Sequence, residues 1–389
     1  MKITGIRTIL YEYDLKRPIG DANSPEGSQH IPSLAVFVDT DAGLTGVSVG
    51  EPDARQIIHS MAKDLLIGQD PRGVRGLWQR MVDCLFKAGN RGIGTDAIAA
   101  LDVALWDLKA KANDEPLWQT FGASEGRAKA YASGIDLCLS DSALSEFYQG
   151  MAAKGIAGGK LKVGVDIDRD FERIGIMRDA LATSGKTPAL MVDSNEYWSP
   201  KQSIRHIRRF EETYDLTWVE EPARRWDYRG LRKVSESVHA AVATGENLSH
   251  VSEFMPLVDH GAVDIVQVGW GCSGFTGVMQ VADLAYAYEL PVAIMNAPAN
   301  LTAHLAAALP NHIGMEVLDA GRDIAMRVDN HIEDGWILLG DKPGLGIEFD
   351  EEKLAELETK QPADAPPSVW SRRPGAGLYE VGTQDLTDE

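Results

Sequence analysis

The chain has 389 residues, 44% of them hydrophobic and 25% charged, the balance of a folded globular protein, and its length admits two or three modest domains or one large barrel with an attached domain. Its 58 acidic against 38 basic residues leave a net charge of −20, which disfavours nucleic acid and anionic membrane as partners but leaves a small anionic substrate open, since a metal or a few local lysines reverse the field of one cleft. No apolar run approaches the about 18 residues that span a bilayer, and Cys84, Cys138 and Cys272 are too few and too widely spaced for a disulfide framework or a zinc cluster, so they read as buried apolar thiols.

The first stretch, MKITGIRTILYEYDLK, alternates apolar and polar residues and lacks the long apolar segment of a signal peptide. It reads as a strand of a cytoplasmic protein. Strand patterns cover residues 3–11 and 34–38, and a turn at Asp41-Ala42-Gly43 leads into another at 44–49. Between the first two, residues 17–32 are rich in Gly, Pro, Ser and Asn and are expected to form a loop. Helical periodicity follows and ends in GTDAIAALDVALWDLKAK, where Thr95 is the expected N-cap and Ile98, Leu101, Ala104, Leu105 and Leu108 form an apolar stripe. Residues 1–125 thus read as an α+β domain.

From about residue 126 the texture becomes short apolar strands alternating with amphipathic helices, the pattern of a parallel α/β fold. Successive strand ends are marked by KLKVG, ALMVDSN, LTWVEEP, AVATGEN, DIVQVGW and PVAIMNAP. No glycine-rich dinucleotide fingerprint follows any of them, so a (β/α) barrel over 126–335 is expected rather than an open sheet. Residues 336–389 begin with a strand and a glycine-rich turn, WILLGDKPGLGIEF. They read as a segment returning to the first domain, with a Pro- and Gly-rich tail from Gln361 lying over the surface.

Asp193, Glu220 and Glu246 each follow a separate apolar strand, 27 and 26 residues apart, about one βα unit per step. Alone, each is an ordinary N-cap or surface charge. In a barrel the carboxyl ends of the strands converge on one mouth, and three carboxylates there repel unless a hard divalent cation joins them, Mg²⁺ above all. Lys160 and Lys162 lie one unit earlier, Lys162 standing 31 residues before Asp193. Residues i and i+2 share a strand face, so both ammonium groups point into the same mouth. Each is expected to depress the other's proton affinity, so that one serves as a base while the other holds an anion.

These motifs, KLK at Lys160 to Lys162, MVDSN with Asp193 and Asn195, WVEEP with Glu220 and TGEN with Glu246, resemble the enolase superfamily, specifically its mandelate racemase-like subgroup. The helix AIAALDVALWDLKAK and PGLGIEFDEE resemble segments of that family's capping domain, so the likeness runs from residue 1 to about 355. It implies a modified TIM (β/α) barrel with an α+β capping domain and Mg²⁺ on a carboxylate of the substrate. It also implies Lys162 as the base for the proton alpha to that carboxylate and Lys160 as support for the enolate, the chemistry of enolase-superfamily sites. Asn195 and Glu316 look like the residues that bind the substrate carboxylate, and a homo-oligomer is implied.

Two positions depart from the pattern. Relatives with a second acid/base carry an aspartate after the sixth barrel strand and a histidine after the seventh; here Gly269 and Asn296 stand there. Two-base racemisation is therefore not expected, and Asn296 is kept as a substrate-binding position. A one-base course stays open; if an acid comes from elsewhere, His30 in the 17–32 loop is the best candidate for it and for a substrate contact, and otherwise it reads as a solvated loop residue. His304 reads as a packing residue, and Asp264 begins its strand at the far end of the barrel. Tyr197, Trp198, Trp226 and Trp270 line the pocket or pack helices, and Arg224 and Arg225 pair a second substrate anion or are solvated.

Three readings stay open. The first is an Mg²⁺-dependent dehydratase acting on a sugar acid, an aldonate or aldarate. The second is a cycloisomerase or epimerase on a sugar acid or lactone, using a single lysine base. The third is a metal-binding homologue without turnover. Specificity is expected in two cap loops near residues 17–32 and 50–56.

Overall fold

The computed structural model describes residues 1–359. Three antiparallel strands open the chain, β1 (Ile3–Ile19), β2 (Ser28–Thr40) and β3 (Thr45–Gly50), ordered β1-β2-β3. The loop expected over 17–32 is much shorter. β1 continues to Ile19 because its alternation persists, with Tyr13, Leu15 and Ile19 buried, and Glu12 and Asp14 pair with Pro32 and His30 across the hairpin. Proline and glycine content thus gave way to the pairing partner β1 supplies, and only residues 20–27 connect the strands.

The long helix Ile93–Ala112 lies against this sheet. Its N-cap is Gly92 at φ 59°, not Thr95, which sits inside the first turn and donates its hydroxyl to Gly92 O at 2.6 Å. All five residues of the expected stripe are fully buried, but so are Ala97, Ala99, Val103 and Asp102, because the helix is covered on several sides. A Cβ on Gly46 of β3 would run into Ala104 O, so glycine permits the close approach. On the other side Asp102 accepts from the Thr276 amide at 2.9 Å and hydroxyl at 2.7 Å, at the N-terminus of a barrel helix. Asp107 accepts from Val47 N of the cap and from Leu345 N of the returning chain.

Eight parallel strands follow: β4 (Arg127–Ser133), β5 (Gly158–Lys162), β6 (Ala189–Asp193), β7 (Leu216–Glu220), β8 (Ala241–Thr244), β9 (Ile265–Val268), β10 (Val292–Ile294) and β11 (His312–Val317). Each pairs with the next, and β11 pairs with β4, closing the barrel. Inside it, Tyr131, Met191, Trp218, Ala243, Ile265 and Ala293 form a separate apolar cluster. Side chains two residues on share the same face, so the next inward position on β6 is Asp193, on β7 Glu220 and on β9 Gln267. One layer up, packing turns into chemistry.

Among the described residues no helix follows β11 until Glu351. The chain instead forms β12 (Met326–Val328), β13 (Asn330–Glu333), β14 (Trp336–Leu339) and β15 (Ile347–Phe349). The boundary expected at residue 335 falls on the turn of the β13–β14 hairpin, and β14 lies antiparallel against β4, so that hairpin belongs with the barrel wall. Helix Glu351–Leu357 then packs on β1, with Glu358 bridging Tyr11. The tail expected over the surface lies outside the described residues. Of the three cysteines, Cys272 is buried, Cys138 half-buried and Cys84 exposed at the end of its helix, so burial holds for one of them in full.

Candidate active site

Asp193 and Glu220 end β6 and β7 in register with one another, and Lys162 of β5 is in register with Asp193. Glu246 comes two residues after β8, beyond Gly245 at φ 132°, where a Cβ would strike Gln267 O. The three carboxylates each offer an oxygen within 4.8 Å of the others. Asp193 and Glu220 are fully buried and Glu246 is half-buried, so the cluster is open on one side. Three hard oxygen donors at this spacing fit a divalent cation such as Mg²⁺.

Lys160 and Lys162 both face this cluster at 1% and 4% exposure. Lys160 Nζ contacts Glu220 Oε1, Glu316 Oε1 at 3.0 Å and Asp193 Oδ2 at 3.4 Å. Lys162 Nζ donates to Asp193 Oδ2 at 2.5 Å. The expected mutual depression is overridden. Burial and the Lys160 charge do lower the proton affinity of Lys162, but Asp193, Glu246 and Asp21 outweigh them and hold its ammonium above the usual range. Burial likewise opposes the charge on Lys160, yet Glu220, Glu316, Tyr131 and Asp193 hold it well above. Sequence spacing shows the neighbouring cation and hides the facing carboxylates.

The acids answer in kind. Burial works against ionisation of Asp193, but the two lysines hold it below the usual carboxylate range. Glu316 is likewise drawn down to about 2, against burial, by Lys160 and Lys162. Burial and the neighbouring acids push Glu220 well up, and burial pushes Glu246 up to about 7.

Asn195 lies beside the triad at φ 45°, its amide donating to Asp193 Oδ1 at 2.9 Å, and its buried side-chain oxygen has no hydrogen-bond partner among the described residues. Asn296 donates to Glu316 Oε2 through its amide at 3.1 Å and its side chain at 2.6 Å, while its own carbonyl accepts from Arg322. The place of Gly269 is taken by Met295, whose sulfur lies 2.8 Å from where a Cβ would stand. His30 is not brought to this cluster. It is exposed on β2, with its ring nitrogens facing Asp14 at 3.1 Å and Glu12 at 3.2 Å across the hairpin.

The remaining singled-out residues divide. Trp198 is buried and donates to Gly164 O at 3.0 Å, Tyr197 and Trp270 pack against the core, and Trp226 is exposed beside Arg224. Arg225 is held by Glu196 at 2.5 Å and by Asn247 O at 3.0 Å. His304 is buried with Nε2 3.0 Å from Leu345 O, and Asp264 secures the start of β8 through Val242 N at 2.7 Å.

Residues 11–122 match the family model of the mandelate racemase / muconate lactonizing enzyme N-terminal domain, and residues 143–353 match that of the enolase C-terminal domain-like fold. The chain belongs to this family. It is 32% identical over 369 residues to a 3,6-anhydro-alpha-L-galactonate cycloisomerase of Streptomyces coelicolor, covering 91% of this chain and 99% of that protein. It is 28% identical to an L-talarate/galactarate dehydratase of Salmonella typhimurium, covering 90% of each. The solved L-talarate dehydratase of Polaromonas sp. JS666, complexed with Mg and L-glucarate, aligns with a TM-score of 0.83 at 29% identity, covering 92% of this chain and 98% of that one.

This member of the mandelate racemase-like enzymes also has site residues that spacing did not show. Gln267 donates to Glu220 Oε2 at 2.8 Å, and its parity with Ile265 on β9 could have flagged it. Glu221, the second acid of WVEEP, is buried and accepts from Asn247 at 2.7 Å. Asn23 of the cap loop reaches Asn195 O at 3.0 Å, and Asp21 of the same loop is buried near enough to act on Lys162. For Arg322 and the cap loop the sequence carries no periodic signal.

Proposed function

We propose that this chain is an Mg²⁺-dependent dehydratase of a sugar acid, an aldonate or aldarate, with Asp193, Glu220 and Glu246 as metal ligands and Lys162 as the base. The carrying observation is the contrast between the two lysines in one mouth. Lys160 is hemmed in by three carboxylates, Glu220, Glu316 and Asp193, and stays a cation. Lys162 makes one such contact, to Asp193, and so needs less to shed its proton. When bound, Mg²⁺ would offset the carboxylates' charge and polarise the substrate carboxylate.

The chain's own residues then supply the rest. Neutral Lys162 Nζ takes the proton alpha to the carboxylate, and the C–H pair becomes the C=C of an enediolate whose charge Lys160 faces. Asn195 lies where the substrate's carboxylate end would sit, its buried unpartnered Oδ1 one acceptor for a substrate hydroxyl, while Glu316, itself held by Asn296, keeps the Lys160 ammonium in place for the enediolate. The β-hydroxyl leaves with its bonding pair and accepts the proton from Lys162 on the same face, giving water and an enol that becomes a 2-keto-3-deoxy acid. Neither Gly269 nor Asn296 relays a proton, which supports a one-base course.

The same absence supports the second reading, a cycloisomerase acting through Lys162 alone, and one relative named above is a cycloisomerase. A silent metal-binding role is disfavoured by the two buried lysines aimed at the triad. Mass analysis of products from a library of aldonic and aldaric acids and lactones, with Mg²⁺, separates the readings. Loss of one water per molecule supports dehydration; an isomer of unchanged mass overturns it in favour of isomerisation.

A further inference from the structure

The scheme above leaves unused a buried polar network behind the lysine strand. β4 pairs with β5 only at Ala132↔Gly159 and Ser133↔Lys160 and then departs, so on that side Lys162 has no strand neighbour, while β6 still faces it on the other. Asp136, Tyr148 and Arg173 occupy the gap at 0%, 0% and 3% exposure. Asp136 Oδ1 accepts the Lys162 amide at 3.0 Å. Arg173 donates to Lys162 O at 2.8 Å and to Asp136 Oδ1 at 3.0 Å. The Tyr148 hydroxyl lies 2.6 Å from Lys160 O and 2.7 Å from Asp136 Oδ2, its single proton serving both. The buried Asp136 charge is paired with that of Arg173, which also faces the buried Asp170 at 3.6 Å.

The same segment is zipped to the cap. Gly20 donates to Ile135 O at 2.7 Å and accepts from Leu137 N at 3.0 Å, flanking Asp136 on both sides. Gly20 begins the loop whose Asn23 reaches Asn195 beside the triad. A hydrogen-bonded path therefore runs from the cap loop through Asp136 to the backbone of Lys162.

We propose that Asp136, with Tyr148 and Arg173, is a positioning residue: it replaces the missing strand neighbour of β5, sets both ammonium groups against the carboxylates and ties them to the cap loop. This rests on Lys162 being the base. Because a displacement of about 1 Å costs on the order of 10²-fold in rate, a network that touches no substrate can govern turnover.

The test compares Tyr148→Phe, Asp136→Asn and Asp136→Ala in the full chain with Mg²⁺. Asp136→Ala is expected to lower kcat on the order of 10²-fold and Tyr148→Phe about 10-fold, with KM and Mg²⁺ affinity little changed. Asp136→Asn, which keeps an acceptor for the Lys162 amide, should recover most of the loss. Variants that melt earlier yet keep the wild-type kcat overturn the proposal, and if Asp136→Ala does not fold, the other two decide. If Lys162→Ala still exchanges the α-proton, the base assignment fails on its own. A crystal structure of Tyr148→Phe then decides the positioning claim, which is overturned by unmoved lysine side chains and upheld by displaced ones.

Discussion

The barrel interior holds two layers built by the same strands and opposite in character. Met191 and Asp193 are two residues apart on β6, as are Trp218 and Glu220 on β7. The lower layer is apolar and stabilises by burial. The upper one buries two lysines among four facing carboxylates, an arrangement that costs desolvation and is justified by what it does. A step of two residues on one strand separates folding from catalysis.

Substitutions in each layer should therefore separate activity from stability. Lys162→Ala is expected to lower kcat about 10²–10⁴-fold, the range for a lost general base, with Mg²⁺ affinity retained; assays on a turned-over sugar acid read it. One layer down, Met191→Ala should cost about 2–5 kcal/mol of stability, read by denaturant unfolding. The molecules that stay folded should keep most of their kcat. A catalytic loss at Met191 as large as at Lys162 would erase the distinction.

Metal acts on the upper layer alone. Mg²⁺ at a hundred times its Kd should raise stability by about 2.7 kcal/mol, and Glu220→Gln should abolish most of that response in calorimetry. Further from the mouth, burial holds His304 down to about 4. A histidine whose folded value lies below its ordinary 6.5 stabilises fully above that value and loses its contribution as pH falls toward 4. The loss runs at up to about 1.4 kcal/mol per pH unit. The stability of a His304→Gln variant should fall less steeply than wild type between those pH values. Smallest of all, His30→Ala should change kcat by no more than about twofold, as for an exposed residue outside the site. A large loss there would return the cap hairpin to the chemistry.

Much of this was legible in the sequence because barrel units have a nearly constant length. The spacing of Asp193, Glu220 and Glu246 reports the unit, and the KLK pair reports a shared strand face. What the chain hides is who stands opposite. The persistence of β1 past Tyr11 depends on its partner β2, and the raised proton affinity of Lys160 depends on Glu220 and on Glu316, the latter more than 150 residues away in sequence. Thr95 looked like a cap because Gly92, at positive φ, carries no side chain to signal one. Asp136 gives no warning either, since its role follows from where β4 stops pairing.

The central claim is that Lys162 takes the α-proton, and the direct measurement is solvent deuterium incorporation in D₂O with Mg²⁺, wild type against Lys162→Ala, over aldonic and aldaric acids and their lactones. The account predicts a substrate that wild type deuterates or converts and that the variant leaves untouched. Equal incorporation by both proteins would contradict it.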